Sequence, residues 1–132
     1  MSVLDDIARH EGFRPRPYKD TEGFLTIGYG INLNAGITQV EAMLILSYRV
    51  QVLQSKLRQR LPFWQRLTIA RQDVLINMAY NLGIEGLMGF KTTLRLISEG
   101  DYDEAANQML KSKWARQVGQ RAIELSEKMR NG

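Results

Sequence analysis

The run His10–Gly30 reads HEGFRPRPYKDTEGFLTIGYG. Glu11 closes an apolar-periodic segment just before Gly12, where a helix should stop. Pro15 and Pro17 then force an extended segment. Asp20-Thr21-Glu22-Gly23 is a turn sequence between two short strand-like runs, so Tyr18 to Gly30 is expected to fold as a small antiparallel sheet. Thr26 lies on the second run, and Gly28 and Gly30 bracket Tyr29. A carboxylate at a helix end and another on a hairpin can line a cleft from two sides. The chemistry such a pair favours is acetal hydrolysis: one carboxyl group protonates the leaving oxygen, the other activates water or attacks carbon. The pair alone is a weak signal, because most such residues are solvated or serve only the turn.

The whole stretch is more specific. Glu11-Gly12, Tyr18-Lys19-Asp20-Thr21-Glu22-Gly23 and Thr26-Ile27-Gly28-Tyr29-Gly30 together resemble the phage-type lysozymes, glycoside hydrolase family 24, and among them the T-even phage endolysins. The resemblance resumes in Leu75-Ile76-Asn77-Met78, Gly83, Gly89-Phe90, Asp103-Glu104-Ala105-Ala106 and Lys111-Ser112-Lys113-Trp114. It implies an α+β, mostly helical lysozyme-like fold over residues 1–132. A small β-hairpin lobe (about 12–37) would be joined by a long helix (about 38–60) to a larger helical lobe (about 61–132, with the N-terminal helix 3–11). It also implies hydrolysis of the β-1,4 bond between N-acetylmuramic acid and N-acetylglucosamine in bacterial peptidoglycan, with inversion, by a monomer that needs no cofactor and no metal.

Composition sets outer bounds. The 132 residues include 44% hydrophobic residues, enough for a core. There is no cysteine and one histidine, His10, so disulfides and thiolate or histidine-rich metal sites are not expected. The net charge of +4 suits an anionic partner, whether nucleic acid, anionic lipid or bacterial wall. Acidic and basic residues are interspersed, which counts against a nucleic-acid-binding arm. MSVLDDIARHEG lacks the apolar core of a secretory signal, and no run reaches transmembrane length. With the resemblance, this places synthesis in the host cytoplasm and action at the periplasmic wall after release through a holin-type hole.

Elsewhere the chain reads as helices. Ser2 and Asp5 can cap a first one with an apolar face of Val3, Leu4, Ile7 and Ala8. Thr38-Gln39-Val40-Glu41 is a capping box for a helix to about Arg60, supported by apolar residues at 40, 43, 44, 50, 53 and 57 and stopped by Pro62. Thr68 caps a strongly apolar helix ended by Gly83, the expected centre of the core. Gly83, Gly86 and Gly89 mark a turn-rich break. Further helices are expected at Lys91–Ser98, from Asp101 to Lys113 or Trp114, and from about Gln120 to Arg130.

The resemblance assigns roles residue by residue. Glu11 is the general acid, which requires a raised pKa and partial burial. Asp20 and Thr26 position the attacking water. Arg121 matches an arginine that supports the acid. Gly30 and Asn32, with Tyr80, Asn81 and Lys113, match positions near the substrate, and Phe90, Thr92 and Gln108 lie toward the wall peptide. An aromatic face can stack on a sugar and an amide can bond an N-acetyl group. From residue type alone, Tyr80 is as readily a core residue, Trp114 is core and His10 is a surface neighbour of Glu11.

Three departures from the family pattern stand out. Ile31-Asn32 follows Gly30 where the family has a histidine of chiefly structural role. The segment from Gly30 to Thr38 is short, which suggests a more open rim to the small lobe. The chain ends at Gly132 without the family's short tail. Two rival readings stand beside this one: a lysozyme-like module that binds the wall or a protein partner without catalysis, and a membrane-active or nucleic-acid-binding basic protein. The second rests on the segment from Lys111 to Arg130, where Lys111, Lys113, Arg116, Arg121, Lys128 and Arg130 outnumber Glu124 and Glu127 and could make weak contact with anionic membranes.

Overall fold

A computed structural model describes residues 2–132. The chain forms two compact units, residues 1–45 and 46–132, divided within one long helix.

The first unit begins with helix α1, Val3–Glu11. Its Ser2–Asp5 capping box forms as read, and the Gly12 N–H closes it by donating to the Ala8 carbonyl. Three strands follow, β1 (Arg14–Lys19), β2 (Leu25–Gly28) and β3 (Ile31–Asn32), in the antiparallel order β1-β2-β3. The register pairs Tyr18 with Thr26 and Lys19 with Leu25, then Thr26 with Asn32 and Ile27 with Ile31. Pro15 and Pro17 lie on β1, an edge strand, and the pairing is irregular between Arg14 and Tyr18. An edge strand with a bulge tolerates the two missing N–H donors. A single 3-10 turn, Leu33–Ala35, capped by the Asn32 side chain, takes the chain toward helix α2, Gln39–Arg60. The predicted box at its start is present: Thr38 N–H donates to Glu41 and Glu41 N–H donates to the Thr38 hydroxyl, at 2.7 and 3.1 Å. The apolar residues proposed to support α2 divide along its length. Leu57 is buried and Val50 and Leu53 are half-buried, while Val40, Met43 and Leu44 are exposed. The apolar face of α1 is exposed too, at Val3, Leu4 and Ile7.

The second unit carries the core. Helix α3, Ile69–Leu82, is capped by Thr68 and buries Val74, Leu75, Ile76, Met78 and Ala79, as its apolar character foretold. Around it lie α4 (Ile84–Met88), α5 (Lys91–Ser98), α6 (Tyr102–Lys111), α7 (Lys113–Val118) and α8 (Gln120–Asn131). Two of these correct the sequence reading. The glycine-rich break contains helix α4, because Gly86 is a packing glycine: a Cβ there would lie 2.9 Å from that of Leu82. The helix expected to reach Lys113 or Trp114 stops at Lys111, because Ser112 adopts an extended conformation (ψ 158°) and caps α7 by accepting from Ala115 N–H. Arg71 joins the ends of the unit. Its guanidinium donates to the Met129 and Arg130 carbonyls at 2.7 and 3.0 Å and lies 3.5 Å from the Tyr102 ring centroid. A guanidinium suits a helix C-terminus, where carbonyls are unpaired and the dipole is negative.

Leu75 has no exposed surface. Leu75→Ala is expected to cost about 2–5 kcal/mol in denaturant unfolding, and Thr68→Ala about 1 kcal/mol through loss of the α3 cap. A Thr68→Ser variant should keep most of that cap.

Candidate active site

The Asp20 turn is built by its own side chain. Asp20 Oδ1 accepts from Glu22 N–H at 2.9 Å and from Phe24 N–H at 2.8 Å. The backbone closes the same loop, with Gly23 N–H donating to the Asp20 carbonyl and Asp20 N–H to the Phe24 carbonyl. One carboxylate oxygen is thereby spent on the turn. The other, Oδ2, accepts no hydrogen bond among the described residues.

Thr26 belongs to the same construction. It is 4% exposed, the one buried residue of the sheet. Its hydroxyl donates to the Phe24 carbonyl at 2.9 Å. That carbonyl therefore receives both the Asp20 amide and the Thr26 hydroxyl, which locks the two residues together. With its proton spent, the Thr26 oxygen can only accept from a third partner.

Glu11 reaches the sheet from the end of α1. Gly12 turns the chain, and the Phe13 ring packs on Tyr29, centroids 5.6 Å apart, at the β2–β3 turn. The Glu11 side chain then lies against the α-carbon of Gly30, so closely that a Cβ on Gly30 would stand 2.6 Å from Glu11 Cδ. Glu11 is exposed, where the sequence reading expected partial burial, because its neighbours α1 and the turn are themselves exposed. Glu11, Asp20, Thr26, Gly30 and Asn32 all belong to the first unit. The Asn32 side-chain oxygen is engaged locally, accepting from Asn34 N–H at 2.9 Å. His10 is exposed beside Glu11.

In the second unit, the remaining candidates fall into separate places. A groove of about 550 Å³ is lined by Phe90, Thr92, Gln108, Lys113 and Trp114 among others. Trp114 is core, 3% exposed, and its indole N–H donates to Asn81 Oδ1 at 2.8 Å. This leaves the Asn81 NH₂ as its unspent donor. Phe90 meets Trp114 edge-on at 6.1 Å. Tyr80 lies elsewhere, 46% exposed in a hollow of about 450 Å³ that also contains Tyr48, Arg49 and Val52, so it is not a core residue. Arg121 is held by Asn77, donating to its side-chain oxygen at 2.9 Å and to its carbonyl at 3.3 Å. The sequence reading missed Asn77 in this role and Glu104 behind Gln108. Among the described residues no group of three His, Cys, Asp or Glu side chains could hold a metal ion.

The Gln108 and Asn107 amides donate to the Glu104 carboxylate, each at 3.3 Å. These bonds, Gln108 first, hold the Glu104 carboxyl below the usual glutamate value against the opposing effect of burial. A lowered carboxylate stabilises above its unfolded pKa and loses that stabilisation as pH falls through the folded value. The Gln108 side-chain amide resonances are therefore expected to stay fixed from neutral pH to below the ordinary glutamate range and to move only there. Glu104→Gln should release them at neutral pH.

Residues 8–130 match the family described as phage lysozyme. The pre-baseplate central spike protein Gp5 of Enterobacteria phage T4 is 30% identical over 92% of this chain, which spans 26% of that protein. A probable T4-type lysozyme of Dictyostelium discoideum is 28% identical, covering 92% of this chain and 89% of its own length. The endolysin of Bacillus phage B103 is 31% identical over 80% of this chain and 41% of its own. No helix among the described residues is long and apolar enough to cross a membrane. With residues 8–130 of its 132 matched to that family, the chain belongs to the phage lysozyme family.

Proposed function

We propose that this chain is a muramidase that hydrolyses the β-1,4 bond between N-acetylmuramic acid and N-acetylglucosamine in bacterial peptidoglycan, with inversion. The observation that carries the reading is the shared Phe24 carbonyl, which fixes Asp20 and Thr26 with an acceptor left over on each. A water between them would donate one proton to Asp20 Oδ2 and the other to the Thr26 oxygen. Its lone pair would then be free to attack the sugar carbon. Asp20 takes the proton as attack proceeds, and Glu11 gives its own to the leaving oxygen. Inverting sites keep their carboxyl groups far enough apart for that water.

The groove residues Phe90, Gln108 and Lys113, with Tyr80 and Asn81, would contribute binding, as would Gly30 in the β2–β3 turn and Asn32 on β3. Arg121 would support the site through its charge. The biological setting this implies is a host cell lysed from within: synthesis in the cytoplasm, release through a holin-type hole, action on the wall. The endolysin relative supports a phage lysis setting.

The test is hydrolysis of purified peptidoglycan with new reducing ends assayed. Wild type should clear the wall and expose reducing ends on muramic acid. Glu11→Gln and Asp20→Asn should each lose on the order of 10²–10⁴-fold while remaining folded. Sedimentation with the wall and no hydrolysis by the wild type would instead favour a binding module.

A further inference from the structure

We propose that Gly30 is a positioning residue for the acid, its bare α-carbon forming the seat of the Glu11 carboxyl group. The inference rests on the reading of Glu11 as the general acid. Three of the Glu11 side-chain atoms converge on the place where a side chain at position 30 would begin. A Cβ there would lie 2.6 Å from Cδ and 3.2 Å from Cγ, with Oε2 closer still. Such distances are well inside van der Waals contact. Other glycines of the same unit with a similarly positive φ have nothing near: Gly12, Gly23 and Gly36 face open space. The close approach therefore belongs to position 30 and not to the positive φ.

Two constraints aim Glu11 at this seat. The Phe13–Tyr29 ring contact ties the end of α1 to the β2–β3 turn. The turn residue Gly30, at φ +72°, presents its Cα where an L side chain would otherwise stand. With one flank against backbone, the carboxyl group loses the rotamers on that side. A general acid must stand within hydrogen-bond reach of the leaving oxygen, and a misplacement of about 1 Å can cost 10²-fold in rate. The atoms that Gly30→Ala would displace are the end of a flexible, exposed side chain, so the fold can absorb the methyl group by moving Glu11. The added carbon thus acts on the acid more than on the fold.

Gly36 supplies the control. It has φ +76° and open space around it, so Gly36→Ala places alanine at a similarly positive φ without touching Glu11. Both variants would be assayed on purified peptidoglycan beside the wild type, with the folded fraction measured by circular dichroism. Gly30→Ala is expected to lose about 100-fold in kcat per folded molecule with KM unchanged, and Gly36→Ala to keep wild-type kcat. In the wild-type protein, nuclear Overhauser contacts are expected between the Gly30 α-protons and the Glu11 γ-protons. Equal kcat in the two variants would overturn the proposal, as would absence of those contacts, which decide the matter if Gly30→Ala does not fold. An inactive wild type that shows the contacts would instead remove the muramidase reading and leave the seat standing.

Discussion

Asp20 spends one carboxylate oxygen on its own turn, accepting from the amides of Glu22 and Phe24. Those two bonds fix where β2 begins, and so which residue of β2 stands opposite Tyr18. That residue is Thr26. The Phe24 carbonyl then takes up both the Asp20 amide and the Thr26 hydroxyl. A slip of one residue in this turn would send Thr26 to the other face of the sheet, since side chains alternate along a strand. Strand register and active-site composition are thus one constraint. The bonds spent on structure also define what remains for chemistry: an acceptor on Asp20 and an acceptor on Thr26.

The same economy recurs in the helical unit. Asn81 uses its oxygen on Trp114 and keeps its amide donors. Gln108 uses its amide on Glu104 and keeps its oxygen. Both side chains are held by a hydrogen-bonded partner, which limits the rotamers left to freeze when a ligand binds. Arg71 does the equivalent for the backbone, tying the end of α8 to the start of α3 through two carbonyls. The core that carries these attachments is continuous from Leu57 to Met129.

Much of this was legible in the sequence, for identifiable reasons. Capping boxes at Ser2 and Thr38 and the cap at Thr68 announce helix starts, because few other arrangements use a hydroxyl and a carboxylate at that spacing. The Asp20–Gly23 turn and the Thr26 strand were readable as local chemistry. What escaped depends on distant partners or ambiguous residues. Ser112 sits in a run without glycine or proline, so the break between α6 and α7 shows only in its backbone angle. Gly86 looks like a turn residue and is a close-packing one. The shared role of the Phe24 carbonyl has no sequence signal, because any residue carries a carbonyl. Nor does sequence spacing reveal that Gly30 lies against Glu11. The exposed state of Glu11 likewise depends on what surrounds α1, which periodicity does not describe.

The claim at the centre is that Asp20 and Thr26 hold a water and that Asp20 does not itself attack the sugar. Proton NMR of a short peptidoglycan oligosaccharide during its first turnovers separates the two directly. Water delivered to the face opposite the leaving group produces the α anomer at the new reducing end, before mutarotation mixes the forms. The account predicts the α anomer first. Initial release of the β anomer would mean a covalent intermediate on Asp20 and would contradict it.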